Sequence, residues 1–170
     1  MPRASVSVRT VRSRRRGKKW SPVLVELAPS AASITANSTY YNRETICANS
    51  STTTTAPTAT VIKVGNIKVS FESESQSSAL AALSGAIFLM FLPQGFTTNQ
   101  DYPTQHPEYI LAWRSFNPSG ATSAVTIQSR LKRNLNSGDS IILFYKVRND
   151  TANEHQVAIR AYVSYVCCNN

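Results

Sequence analysis

The stretch Ser140–Val166 reads SIILFYKVRNDTANEHQVAIRAYVSYV and holds the two most regular strand patterns of the chain. Apolar side chains occupy every second position of residues 140–148 and again of residues 156–166, which is the period of a β-strand with one face in a core. The polar residues 149–153 between them predict a turn. The repeating apolar positions are Ile141, Leu143, Tyr145 and Val147, then Val157, Ile159, Ala161, Val163 and Tyr165.

Six further segments upstream have strand character. Residues 61–71 alternate in the same way but change phase at Gly65-Asn66, which predicts a β-bulge there. Residues 108–116 are expected to place Tyr109, Leu111 and Trp113 on one face of a strand. The six predicted strands cover residues 22–27, 40–48, 61–71, 86–92, 108–116 and 124–131.

The connecting segments differ in composition. Residues 50–60 consist almost entirely of Ser, Thr and Ala without an apolar face, which predicts a surface loop. Residues 77–83 suit a short helical turn. Residues 93–107 contain three prolines and predict a long loop.

The run AIFLMFL at residues 86–92 is the most apolar part of the chain. Even when extended back to Ala79 it spans only 14 residues, whereas a membrane-spanning helix needs about 20. Seven strand-forming residues that end at Pro93 instead predict a central strand buried on both faces. The basic N-terminus also lacks the apolar core of a signal peptide, and no membrane insertion is expected.

Eight antiparallel strands without a long helix predict an all-β fold. For about 150 residues the best match is an eight-stranded antiparallel jelly-roll sandwich, whose two sheets limit exposed edges. An immunoglobulin-like sandwich is the competing fold, but its Cys-Trp-Cys pattern is absent from the sequence. Residues 20–170 are therefore predicted to form one domain.

Residues 1–19 differ sharply from this domain. They carry eight basic side chains and no acid, whereas residues 20–170 hold the remaining 10 basic and 9 acidic residues of the chain. A segment so charged buries too little apolar surface to offset its ordering entropy, so a disordered basic arm is predicted. The basic residues are Arg3, Arg9, Arg12, Arg14, Arg15, Arg16, Lys18 and Lys19.

Phosphates are the expected partner of this arm, because each contact between a cation and a phosphate releases counterions whatever the base sequence. Six of the eight are arginines, which favours forked contacts to phosphate oxygens. The cluster Arg14–Lys19 also suffices for a nuclear localisation signal. The alternative to both roles is a solvated tail without a binding partner.

A second basic set lies in the predicted domain. These residues either line a surface that faces nucleic acid or simply promote solubility. Arg130 and Lys132 are expected to share one strand face, with Arg133 on the other. The set is Lys63, Lys68, Arg130, Lys132 and Arg133. Four aromatic residues, Tyr40, Tyr41, Trp113 and Phe116, are expected to pack in a core or between subunits.

The sequence contains no recognisable catalytic or metal-binding motif, so an enzyme is not expected and no cofactor is predicted. His106 lies between Asp101 and Glu108, which leaves open a divalent ion at a subunit contact, but a solvated loop is the preferred interpretation. The odd number of cysteines and their spacing predict free thiols at Cys47, Cys167 and Cys168.

Three stretches resemble a known protein family: FLPQGF at residues 91–96, HPEYILAWR at 106–114 and SRLKRNLNSGDSI at 129–141. With the basic arm, they are similar to the capsid (coat) proteins of small circular Rep-encoding single-stranded DNA viruses, whose single jelly roll is like that of satellite tobacco necrosis virus. The resemblance implies a virion protein that self-assembles into an icosahedral shell of about 60 copies. It also implies an arm that packages single-stranded nucleic acid, with DNA favoured over RNA and RNA satellite viruses left as an alternative. The nuclear localisation signal predicted in the arm places assembly in the host nucleus.

Two other classes of protein remain as alternatives. A cellular nucleic-acid-binding protein of the ribosomal or chromatin type also carries a basic tail, although its folded body is usually basic too. A β-sandwich lectin or receptor-binding module would have no use for the arm.

Overall fold

The computed structural model describes residues 19–49, 61–75, 83–118 and 123–169. The loop predicted at residues 50–60 lies outside this part of the chain. So does the helical turn predicted at 77–83, except Leu83, which begins a strand. The elements in chain order are β1 (Ser21–Ile34), β2 (Thr39–Ala48), β3 (Ile62–Ser75), β4 (Leu83–Leu92), α1 (Tyr102–Gln105), β5 (Ile110–Phe116), β6 (Ser123–Ser129), β7 (Arg133–Leu135), β8 (Ser140–Asn149) and β9 (His155–Asn169).

The strands form two antiparallel sheets. Sheet A has the order β1-β9-β3-β6, with β7 beside the start of β3, and sheet B has the order β2-β8-β4-β5. The chain passes repeatedly from one sheet to the other, so that most sheet neighbours are distant in sequence. This is the predicted jelly-roll sandwich. The prediction of eight strands omitted β7, a three-residue strand with only one apolar side chain.

The two strands of the Ser140–Val166 stretch lie in different sheets. The turn at residues 150–154 carries the chain from β8 in sheet B to β9 in sheet A. Asn149, which is fully buried, holds this corner together. Its amide donates hydrogen bonds to the carbonyls of Ile34, Thr35 and Asn153 at 2.7–3.2 Å, and its Oδ1 accepts from the backbone and hydroxyl of Thr151.

The main core lies between the inner faces of the two sheets. The bulge predicted at Gly65-Asn66 is present as a register shift between β3 and β9. The shift keeps Val64 and Ile67 both buried, because the extra residue restores the alternation. The largest buried side chains of this core include Phe71, Ile87, Leu89, Ile141, Leu143 and Tyr145.

A second apolar cluster lies on the outer face of sheet B. Residues 93–109, which include α1 and a 3₁₀ turn at 107–109, fold over one half of that face and bury Tyr102 against it. The strand β4 is therefore buried on both faces in this half, as predicted. No helix of the described residues is long and apolar enough to span a membrane. The cluster comprises Met90, Leu92, Tyr102, Ile142 and Phe144.

Two sequence predictions about strand ends and faces were wrong. β5 begins at Ile110, because Pro107–Tyr109 forms the 3₁₀ turn. A bulge in β5 opposite Leu89/Met90 places Leu111 in the core, whereas Trp113 points outward. β6 ends at Ser129. Arg130 and Lys132 consequently lie in a link between strands and share no strand face.

The substitution Asn149→Ala should destabilise the fold by roughly 2–4 kcal/mol, because it leaves buried carbonyl and N–H groups without partners. Urea denaturation followed by tryptophan fluorescence measures the loss. Asn134→Ala, at an exposed position of β7, is the matched control and should change stability by less than about 0.5 kcal/mol. Equal stabilities of the two variants would contradict the role of Asn149.

Candidate nucleic-acid interface and exposed aromatic face

The described residues include one of the eight predicted arm cations. Lys19 is exposed and directly precedes Trp20 and the first residue of β1. The other seven, Arg3, Arg9, Arg12, Arg14, Arg15, Arg16 and Lys18, lie outside the described residues, and their role remains a prediction.

Trp20 marks where the basic segment meets the sandwich. The Lys132 Nζ lies 5.3 Å from the centre of the Trp20 ring, a cation–π contact between the chain just before β1 and the link after β6. Gly65 makes this contact possible, since a Cβ there would lie 2.9 Å from the Lys132 Cγ. Trp20, which directly follows the basic segment, therefore contacts a cation, Lys132, that is distant in sequence.

Two more members of the second basic set lie at this end of the sandwich. Lys63 pairs with Asn134 and Cys168, and Arg133 pairs with Val64, so both flank the bulge that contacts Lys132. The Arg133 guanidinium lies 5.8 Å from the centre of the Phe91 ring. Lys63, Lys132 and Arg133, with Lys19, are called here the arm-end cluster.

The remaining two predicted cations lie outside this cluster. Arg130 is exposed in the link between β6 and β7. Lys68 lies on the outer face of sheet A, opposite Gln128 and Ser164. Sequence alone grouped all five by composition, whereas the fold separates them by strand and face.

The arm-end cluster is suited to hold phosphate by charge. The described residues contain two ion pairs, and neither includes a member of this cluster. No carboxylate of the described residues therefore compensates their charge, and Lys132 and Arg133 lie against aromatic rings. Such groups position a nucleic-acid backbone without reading bases.

The loop around His106 is organised by contacts between aromatic rings. His106 stacks on Tyr109 at 5.5 Å and its Nδ1 lies 3.1 Å from Glu108 Oε1. The pKa of Glu108 is lowered by a backbone hydrogen bond and then by His106. Burial raises the pKa of Tyr102 to about 12. Among the described residues no three His, Cys, Asp or Glu side chains group as metal ligands.

None of the three cysteines forms a disulfide with another described residue. Cys47 of β2 and Cys167 of β9 are close enough to interact electrostatically, and the Tyr165 hydroxyl donates a hydrogen bond to the Cys47 sulfur. Burial raises the pKa of Cys47 and, together with the Cys47 contact, raises that of Tyr165 to about 12. These groups lie at a seam between the two sheets, where a neutral thiol packs better than a thiolate.

An aromatic row crosses the outer face of sheet B. Its middle rings belong to the cluster that residues 93–109 help to cover, since Phe144 is fully buried and Phe88 packs against that cluster. Tyr41 stacks on Phe144 at 5.9 Å, Phe144 meets Phe88 edge-on at 6.2 Å, and Phe88 stacks on Trp113 at 6.2 Å. The row therefore touches all four strands in the order β2-β8-β4-β5. Its two end members are exposed, Tyr41 by 41% and Trp113 by 62%.

Sequence reasoning assigned these aromatic residues to packing and missed the row. Phe116 does lie in the core and Tyr40 packs against it, but Tyr41 and Trp113 point outward. The sequence did contain a signal for the row, namely the large size of the residues that alternate with core positions along β4 and β8. Phe88 and Phe144 are as bulky as their inward neighbours, which is unusual for a face that meets only water.

Comparison with known proteins gives fold-level likeness only. No family model and no curated protein matches the chain. Among solved structures, a chain of maize chlorotic mottle virus is 11% identical with a TM-score of 0.43, over 88% of this chain and 93% of that chain. A chain of broad bean stain virus is 12% identical with a TM-score of 0.36, over 92% and 89%.

A chain of infectious bursal disease virus is 10% identical with a TM-score of 0.39, over 86% of this chain. The present chain spans about a third of its length, 32%. Likenesses of this size carry no argument about function, which has to come from the residues themselves.

Reaction of Cys47 with iodoacetamide should be slow at pH 7 and should increase with a midpoint above the usual thiol range, because its raised pKa keeps the thiolate scarce. The variant Cys167→Ser/Cys168→Ser isolates Cys47 for mass spectrometry, and the chain in urea is the control with an ordinary thiol. Equal rates in the folded and unfolded chain would contradict a buried, neutral thiol.

Proposed function

We propose that this chain is a viral capsid protein that self-assembles into an icosahedral shell and packages single-stranded nucleic acid through its basic N-terminal segment. One observation carries the proposal: eight cations without an acid directly precede a jelly-roll domain whose own 10 cations and 9 acids nearly balance. Charge for the genome and apolar surface for the shell are thus separated at Trp20.

The arm-end cluster supports this assignment. The basic segment joins β1 where Lys132 contacts Trp20, so cations of the folded domain extend the charge of the arm onto the sandwich. A cellular nucleic-acid-binding protein would be expected to carry basic charge over its whole body. Here the excess lies in residues 1–19, while the 10 cations and 9 acids of residues 20–170 nearly balance.

The stretches that resemble coat proteins meet at that same end. The backbone N–H of Gln94 donates to Asp139 Oδ1 at 3.0 Å, which joins residues 91–96 to residues 129–141. Tyr109 of the stretch 106–114 contacts Phe91, with ring centres 5.9 Å apart. Three segments that are apart in sequence therefore form one structural region of the sandwich.

The finer parts of the proposal rest on the resemblance. We propose a virion of about 60 copies in the simplest icosahedral shell, single-stranded DNA rather than RNA as cargo, and assembly in the host nucleus, for which Arg14–Lys19 is a sufficient signal. The role is structural rather than enzymatic, since the residues assigned to it hold phosphate by charge and activate no nucleophile.

Expression of the full chain tests the proposal by size-exclusion chromatography, absorbance at 260 and 280 nm, and electron microscopy. Shells rich in nucleic acid are expected. Replacing all eight arm cations with Gln, which keeps the chain length, should give shells nearly free of nucleic acid or altered in size.

A small protein–nucleic acid complex from the parent chain would favour the cellular binding protein instead, and a clean monomer would favour the lectin class. Full packaging by the Gln variant would contradict the role of the arm while leaving the shell intact.

Binding by a peptide of residues 1–20 should depend steeply on salt and little on sequence. Each contacted phosphate of a single strand contributes about −0.7 to the slope of log affinity against log salt, so eight contacts give roughly −5 to −6. Fluorescence anisotropy with unrelated oligonucleotides measures it. A peptide with four of the eight cations replaced should halve the slope, and a hundredfold preference for one sequence would contradict binding by backbone charge.

A further inference from the structure

The outer face of sheet B has two features in common with protein interfaces, an aromatic row whose two ends are exposed and a set of cations. We call it the aromatic–basic face, and it comprises Tyr41, Phe88, Trp113, Phe144, Arg43, Lys146 and Arg148. We propose that this face binds the outer face of sheet A of a second copy of the chain, in a head-to-tail contact. The inference deepens the proposed function by naming the surfaces that join subunits.

The aromatic row is held rigid before any partner binds. Each ring rests on the next at 5.9–6.2 Å across neighbouring strands, so Trp113 pays little conformational entropy on burial. Trp113 is 62% exposed and lies on β5, the edge strand of sheet B. An exposed, pre-organised Trp on a face that also carries Tyr and Arg has the composition of an interface hot spot.

A groove beside the row carries the charge. It has a volume of about 370 Å³, its floor is formed by Ser84, Gly85 and Ala86, and Lys146 and Arg148 line it. Arg43 lies in register with Phe144 on the same face. Arg148 is bound to Asp150 at 2.6 Å, so of three cations on the face one is paired with a carboxylate of the described residues.

These charges make the face a poor partner for itself. A two-fold contact would place the same patch on both sides and bring Arg43, Lys146 and Arg148 near their copies. Like charges that lose water on contact repel more strongly than in solution. The partner surface should therefore be a different part of the chain with opposite charge.

The outer face of sheet A supplies that charge. Glu26, Glu72 and Glu74 point outward around Arg160, as their pairing with Tyr162, Arg160 and Ala158 shows. Glu72, Glu74 and Arg160 line a second, smaller groove. Leu24, 75% exposed, and Tyr162 add apolar area on the same face. An acidic groove with apolar neighbours fits a basic groove beside an aromatic row.

Nucleic acid is the less favoured occupant, although cations and aromatic rings also suit single strands. The arm meets the sandwich where β1 begins, opposite Cys167 of β9. Thr39, Ser84 and Arg148 of the groove lie at the other end, where β1 finishes opposite His155. The genome-binding charge and the aromatic–basic face therefore point to different neighbours.

Trp113→Ser tests the aromatic half of the contact in the full chain. Loss of a hot-spot Trp should weaken the subunit contact roughly thirtyfold, which is measured as the protein concentration needed for half-maximal shell formation. Leu131→Ser is the matched control, since Leu131 is 53% exposed but lies outside both faces. Circular dichroism confirms that both variants are folded.

Charge exchange tests the pairing of the two faces. Lys146→Glu/Arg148→Glu and Glu72→Lys/Glu74→Lys should each reduce shell yield at least tenfold, and the four substitutions together should restore it to within about threefold of the parent. Rescue requires that the two grooves meet, because neither face regains its own charge.

The outcomes separate this inference from the proposed function. Suppose that the parent chain forms shells. If Trp113→Ser then assembles as well as the parent, or if the fourfold variant is not rescued, the inference is overturned and the capsid role stands. Normal shells that lose nucleic acid in Lys146→Glu/Arg148→Glu assign the face to the genome and also overturn it. If the parent forms rings or smaller oligomers but no shell, and Trp113→Ser loses them, the inferred subunit contact is supported while the proposed capsid function is not. A monomeric parent overturns both.

Discussion

The two central strands of sheet B, β4 and β8, are apolar on both faces, and the rest of the structure follows from covering them. Leu89 and Leu143 face sheet A across the main core, while Met90, Ile142 and Phe144 face the other way. Water on both faces would expose several large side chains, each of which contributes about 1.5–3 kcal/mol when buried. One face is covered by the second sheet and half of the other by residues 93–109.

Residues 93–109 cover only part of the outer face of sheet B, so the two ends of the sandwich differ in chemistry. One end lies near the start of β1, beside Trp20 and the arm-end cluster. Three elements pack together there: the segment 93–109, the link before β7 and the turn at Asp139. At the opposite end Asn149 ties the β1–β2 turn to the β8–β9 turn. Between them the aromatic row crosses all four strands of sheet B, and its two end members, Tyr41 and Trp113, are exposed.

Charge follows the same division. The chain carries its net charge of +9 almost entirely in the first nineteen residues, and the domain distributes its balanced charges by face. Three cations, Arg43, Lys146 and Arg148, lie on the outside of sheet B. The outside of sheet A carries three acids, Glu26, Glu72 and Glu74, and two cations, Lys68 and Arg160. A domain with two unlike faces is suited to head-to-tail contacts, which close into rings when the rotation between copies allows it.

The sequence by itself determined the all-β class, the positions of eight strands, the bulge at Gly65-Asn66 and the isolation of the basic segment. Those features depend on local composition and on a period of two. Only the tertiary structure decided which strands are neighbours, because β1 pairs with β9 across more than 120 residues and β2 with β8 across 92–109. It also decided that Lys132 meets Trp20, that a bulge turns Leu111 inward and Trp113 outward, and that four aromatic residues from four strands form one row. Contacts of that kind depend on register between distant segments, which alternation along a single strand does not encode.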